Sequence, residues 1–410
     1  MNLFSHAALS HWLAAFDAAS PLVISGSAAA GLLVTSLVLL GLERRAVRSP
    51  VAVAALAALA FAIAWCPVAR PGWAPLAAGL VTAALARDRD DPLHAECSLK
   101  LLWVMGPALA LSWAGLSLLT LATGTPIVIE QWAVLQLGLD PRFLWSTALP
   151  LALLAGLVLL GGAPFHFWVA DVLQGVRPWL AAAAVVTLQA SGAAWLSSRL
   201  EGIGGFPAGR ELVSDLLGIA AFAAFVAGAA TLLVQRRPER RVGTLASLNG
   251  AIMLAALAAG RPPGPAALAA WSGHLALALG GAATVARFLP TFAGPAPGVP
   301  LFRRHPWTGI AGLYALASLA GVPGTPGAML WLASAKALAA AGRTGLLLVL
   351  SAAWIAALTA AMRQWRQAFG VAAPAASVPL AGRVPLQARL ALWIAACGLV
   401  ALGALRLWRV

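Results

Sequence analysis

Gly161-Gly162-Ala163-Pro164-Phe165-His166-Phe167-Trp168-Val169-Ala170-Asp171-Val172-Leu173-Gln174-Gly175 follows directly on an apolar run that begins near residue 145. Two glycines and a proline in four positions do not continue an α-helix, because proline lacks the N–H and glycine loses the most backbone entropy on ordering. The apolar runs on either side, 145–163 and 178–197, have the length and composition of bilayer segments. A backbone interruption at that depth must be buried in protein or line a wet cavity, since lipid offers a freed carbonyl no partner. A second interruption, Gly321-Val322-Pro323-Gly324-Thr325-Pro326-Gly327, separates the runs 309–323 and 326–341. Breaks in both halves of a chain suggest a transport scaffold made of inverted repeats. The plainer alternative is that the 40 glycines and 27 prolines serve close helix packing.

Working outward, 61% of the 410 residues are hydrophobic and 10% charged, and the mean hydropathy is +0.88. That composition excludes a water-soluble enzyme. Further apolar spans are expected near 21–43, 49–68, 72–87, 97–122, 211–234, 241–260, 264–289, 343–366 and 386–408, about thirteen in all. The chain therefore reads as an all-α, polytopic membrane protein, with residues 1–18 an interfacial lead-in helix rather than a cleavable signal. The longest polar connections, 124–144, 199–210, 288–308 and 367–385, are too short to fold as separate domains.

The net charge of +14 comes from 27 basic residues against 13 acidic ones. Nucleic acid is the wrong partner to infer from it. The arginines sit at the ends of apolar runs, at 44–48, 236–241 and 303–304, where they meet lipid headgroups and fix orientation. The loops carrying them, with 87–100, are expected on the cytoplasmic side. Beyond residue 309 the alternation fails for Arg363, Arg366 and Arg383 unless 309–341 is a single broken span. Cys66, Cys97 and Cys397 are scattered singly, so no zinc site, iron–sulfur cluster or disulfide framework is implied.

The segment 163–175 resembles the PFHFWxPDVYxG signature of subunit N of NADH-quinone oxidoreductase, respiratory complex I. That subunit belongs to a proton-antiporter-like family shared with the Mrp antiporters. Three further stretches follow in the family's order. Glu96-Cys97-Ser98-Leu99-Lys100 through Thr123-Gly124-Thr125 is similar to its EAxLKYFxLG...GxSLLYGxTGT segment. Arg240-Arg241-Val242-Gly243-Thr244-Leu245-Ala246-Ser247-Leu248 is similar to its KRLLAYSSI helix, and Ser318 through Gly327 to its SLAGIPPTAGF break. The resemblance covers about residues 72–366 and implies an inverted repeat of two five-helix bundles with broken helices. Residues 1–71 then supply leading helices, and 367–410 a connection and a C-terminal helix.

The resemblance also implies proton translocation along a mid-membrane file of Glu, Lys and His. Here each family position is neutral. The acid falls near Pro75, the lysines at Leu159 or Leu160 and at Gln189, the residue closing the second break at Trp331, and the histidine at Gly250, beside Asn249. An amide such as Gln189 binds water but has no charged state near neutral pH. Lys336 is either a displaced pathway lysine or a snorkelling residue near a helix end. His166 is expected to satisfy carbonyls freed at the break, Asp171 to pair with Arg177 or cap a helix, and His274 to be a hydrogen-bonding core residue. Arg240 and Arg241 shape the field at a channel mouth but do not relay protons, and Lys100 stands in the EAxLKY-like segment.

Three functions follow as alternatives: an antiporter-like, proton-translocating subunit of a complex I-like oxidoreductase; a non-pumping paralogue that buttresses the membrane arm; or an independent carrier. No redox cofactor is expected in this chain, since no segment supplies a strand–GxGxxG–helix unit. Such groups are expected in partner subunits, beside other membrane-arm subunits of a complex I-type or hydrogenase-type assembly. The expected setting is a bacterial-type inner membrane.

Overall fold

The computed structural model describes residues 92–137, 142–176, 178–200, 203–260, 265–286, 306–369 and 386–407. The lead-in helix, the spans expected at 21–43, 49–68 and 72–87, and Pro75 lie outside these residues. Every described element is helical: α1 (Pro92–Thr123), α2 (Val128–Leu137), α3 (Arg142–Leu159), α4 (Phe167–Gly175), α5 (Pro178–Arg199), α6 (Pro207–Val234), α7 (Pro238–Ala258), α8 (Pro265–Ala286), α9 (Pro306–Leu319), α10 (Pro326–Ala340), α11 (Thr344–Phe369) and α12 (Leu386–Leu407), with one 3₁₀ turn at Ile203–Gly205. Seven of them (α1 and α5 to α10) open on proline. Its fixed φ suits the first helical turn, and its missing N–H would have no intrahelical acceptor there.

Segments of α1, α5, α6, α7 and α11 are each long and apolar enough to cross a membrane, by length and composition. Their surroundings differ. In the most apolar window of α7 94% of the residues are buried, against 33% in those of α1 and α6, so α7 is a central strut and the other two face outward. The extra helix α2 lies within the stretch expected to be polar connection, 124–144, where Trp132 donates its indole N–H to the Arg199 carbonyl at 3.3 Å.

The two breaks are one backbone motif written twice, 160 residues apart. Gly161 has φ 72° and Gly321 φ 74°, a left-handed conformation that glycine adopts without steric cost. Gly161 N–H donates to the Val158 carbonyl, Gly162 N–H to Leu157 and Phe165 N–H to Gly162, each at 2.9 Å. In the second break Gly321 donates to Ser318 at 3.1 Å, Val322 to Ala317 at 2.9 Å and Thr325 to Val322 at 3.1 Å. This is the Schellman ending, which satisfies the last carbonyls of α3 and α9.

The motif runs in opposite directions. At one end of the bundle Arg363 donates to the Leu233 carbonyl at 3.0 Å and Gln364 to that of Pro238 at 3.1 Å. At the other, Arg343 pairs with Asp215 at 2.6 Å, and Ser214 donates to the Ala258 carbonyl. α6 and α11 are therefore parallel, with α7 antiparallel to both. α4 ends beside Arg240, at the arginine-rich end. α10 ends just before Arg343, at the far end. The pair α3–α4 thus runs toward the arginine-rich end and α9–α10 away from it.

This corrects the reading of 309–323 and 326–341 as two spans. α9 and α10, of 14 and 15 residues, are about 21 Å and 22 Å long, short of the ~30 Å hydrocarbon core. Together they cross once. Arg363 and Arg366 then fall on the same side as Arg236 and Arg241, and the charge alternation is restored there.

Candidate functional site

The site is the seam where α7 passes between the two breaks. On α5, Gln189 is fully buried and its amide N–H groups donate to the Leu160 carbonyl at 3.0 Å and the Ala246 carbonyl at 3.1 Å. It therefore ties the end of α3 to α7. The Trp168 indole N–H donates to Val158 at 2.9 Å, and Ser247 donates to the His166 carbonyl at 3.2 Å. Trp168 and Gln189 meet carbonyls at the first break, the task the sequence suggests for His166, whose ring is half-buried beside them.

At the second break the polar partners come from three other helices. Asn249 of α7 donates to the Leu319 carbonyl at 3.0 Å and to Leu245 at 2.9 Å. Trp354 of α11 donates to Gly321 at 2.9 Å. His274 of α8 lies 3.0 Å, through Nε2, from the Ser318 hydroxyl, which also accepts the Gly327 N–H at 3.3 Å. His274 is thus a buried core residue held at the break.

The positions that are titratable in the resembling family are physically filled. Leu159 and Leu160 are fully buried. A Cβ on Gly250 would collide with the Leu160 carbonyl and lie 3.3 Å from Gln189 Nε2, so the close approach of α7 to the first break leaves no room for an imidazole. Trp331 stacks on Trp354 with ring centroids 5.7 Å apart and planes 10° apart, and tilts against Phe225 at 6.2 Å. Where a proton file would need charge and water, the chain places amide bridges, backbone contact and an aromatic stack.

The charged candidates all stand away from the middle of this seam. Lys336 is on an exposed face of α10, the placement of a snorkelling side chain. Lys100 pairs with Glu96 at 2.6 Å on the exposed side of α1. Asp171 of α4 pairs with Arg240 of α7 at 2.9 Å, and Arg240 also donates to Gln174 at 2.8 Å. Arg177 lies outside the described residues. Arg241 is buried and donates to the Gln235 carbonyl at 2.7 Å and to Gln367 Oε1 at 3.3 Å. Asp171, Arg240 and Arg241 thus form a polar end to the seam, one or two turns beyond its neutral middle.

Sequence reading left Ser247, Ser318, Trp168 and Trp354 unselected. The signal for the first two was present, since each lies in a family-like stretch beside a break or on the facing helix. Trp168 carried the same signal, within the PFHFW-like stretch, and Trp354 carried none, because tryptophan in an apolar run reads as packing.

No protein-family model and no curated protein matches the chain. Solved structures do. A chain of respiratory complex I from Thermus thermophilus with bound aureothin is similar at 22% identity, with 92% of this chain and 84% of that one covered and a TM-score of 0.71. A chain of the Mrp complex from Dietzia sp. DQ12-45-1b is similar at 16% identity, over 94% of this chain and 80% of that one, with a TM-score of 0.73. A chain of the membrane-bound sulfane sulfur reductase, an archaeal respiratory membrane complex, follows at 16% identity, 86% and 72% coverage and a TM-score of 0.68. The protein is a multi-pass helical membrane protein with the antiporter-like fold that these complexes share.

Proposed function

We propose that the chain is an antiporter-like membrane-arm subunit of a complex I-like oxidoreductase or a related respiratory complex in a bacterial-type inner membrane, and that its own central seam does not conduct protons. The observation that carries this is Gln189, which spends its amide N–H groups on two backbone carbonyls across the first break, while Gly250 leaves no space for the histidine of the family and the stacked Trp331 stands in place of its lysine or glutamate. A proton file needs groups whose charge state changes near neutral pH and the water they hold. Among the described residues the seam offers two such groups, His274 at the second break and the half-buried His166 at the first, set apart on opposite breaks, with neutral donors between them.

The fold shared with subunits of multi-subunit complexes supports a place beside other membrane-arm subunits, with the redox cofactors in those partners. The coupling function inherited with the fold is then met by neighbours, and this chain supplies a rigid, proton-tight wall.

The test is the intact complex purified through a tag on this chain and reconstituted in vesicles. Gln189→Ala and Lys336→Ala are compared with the parent for protons moved per electron at equal assembly. Unchanged stoichiometry for both is expected. Loss of pumping by either variant, at normal assembly, means that a relay runs through this chain.

A further inference from the structure

At the arginine-rich end, the turn between α6 and α7 and the last turns of α11 enclose an open cavity of about 810 Å³, lined by Leu233, Val234, Arg236, Arg241, Arg363 and Arg366 together with Gln235 and Gln367. Among the described residues no carboxylate lines it. Among the same described residues the acids at this end are engaged or stand outside the wall: Asp171 is held by Arg240, Glu96 by Lys100, and Glu239, in the first turn of α7, does not line the cavity.

Arg241 decides the chemistry. It is only 4% exposed, and its recorded partners, the Gln235 carbonyl and Gln367 Oε1, are neutral. Arg363 likewise donates to a neutral carbonyl, that of Leu233. Hydrogen bonds to neutral acceptors orient a guanidinium but do not cancel its charge. A buried cation among three more cations costs free energy that an anion in the cavity would offset. Guanidinium forks match the oxygens of a phosphate.

The setting selects the source of that phosphate. α6 and α11 are outward-facing helices, with 33% and 39% of their most apolar windows buried. Beside the arginines, Leu233, Val234, Met362 and Trp365 are exposed apolar side chains. A phosphate seated among the arginines would therefore have an apolar surface next to it, along which acyl chains can lie. We propose that this cavity is a binding site for the headgroup phosphate of an acidic phospholipid, which neutralises the arginine cluster and ties α6, α7 and α11 together at the membrane surface.

The experiment uses the full chain in nanodiscs of phosphatidylcholine with increasing phosphatidylglycerol, following thermal unfolding and, by native mass spectrometry, retained lipid. Saturable stabilisation with one retained phosphatidylglycerol is expected. The double variant Arg236→Ala/Arg366→Ala, both exposed, should weaken that binding roughly tenfold or more and be at least as stable as the parent in pure phosphatidylcholine, where two mutually repelling charges have been removed. Arg210→Ala, at the opposite end of α6, should leave the binding at parent strength. Stabilisation by phosphatidylglycerol that is unaltered in the double variant overturns the site. Equal stabilisation by inorganic phosphate in pure phosphatidylcholine overturns the lipid source.

Discussion

At the scale of single residues, neutral side chains take over the work of holding a broken backbone. Gln189 and Asn249 each bridge carbonyls of two helices, and in a dry interior the loss of such a bridge strands acceptors that water cannot reach. Gln189→Ala should therefore destabilise the chain by about 1–3 kcal/mol, read as a lower unfolding temperature in detergent, with Gln189→Glu no substitute because a carboxylate cannot donate to carbonyls. An unfolding temperature unchanged by Gln189→Ala would show that the bridge is idle. Gly250→Ala should be worse than Gln189→Ala, since its methyl group meets the Leu160 carbonyl head-on, and backbone does not yield as a side-chain tip does. The neutrality of both positions was legible in the sequence. Their partners were not, because Leu160, Ala246 and Leu319 are contributed by segments distant in the chain and only the fold brings them together.

At the scale of elements, the breaks were the most legible feature and their relation the least. Gly and Pro in tandem announced each interruption, since both residues disfavour a helix interior. That α3–α4 and α9–α10 cross in opposite directions depends on long-range pairing, whereas the arginine count already disagreed with two separate spans at 309–341, a disagreement that one shared passage of α9 and α10 removes. The short α4 is pinned to α7 by Asp171 and Arg240, whose side chains are 11% and 32% exposed. Removing Arg240 alone leaves a mostly buried carboxylate without its cation, whereas removing both charges leaves neither. A double-mutant cycle of Arg240→Ala and Asp171→Ala should accordingly be non-additive, the pair costing less than the sum of the singles. Additive losses would mean that the 2.9 Å contact contributes nothing beyond packing.

At the scale of the whole molecule, orientation is the property on which the lipid site and the polar end of the seam both depend. Arg236, Arg241, Arg363 and Arg366 gather at one end, and an arginine-rich end is retained on the cytoplasmic side. Cysteine labelling reads this directly. With Cys66, Cys97 and Cys397 replaced by serine, Arg236→Cys and Arg366→Cys should both react with a membrane-impermeant maleimide only in inside-out vesicles. Ala340→Cys, exposed at the end of α10, should react only in right-side-out cells. The informative comparison is between positions 340 and 366, which α11 alone separates, and between 366 and 236, which must agree if α9 and α10 together form one passage. Were α9 and α10 to cross separately, an additional passage would lie between 236 and 366 and the two would label from opposite sides. Labelling of 236 and 366 from opposite sides would sink the broken-span topology, while agreement of the two on the outer face would keep that topology and reverse the orientation.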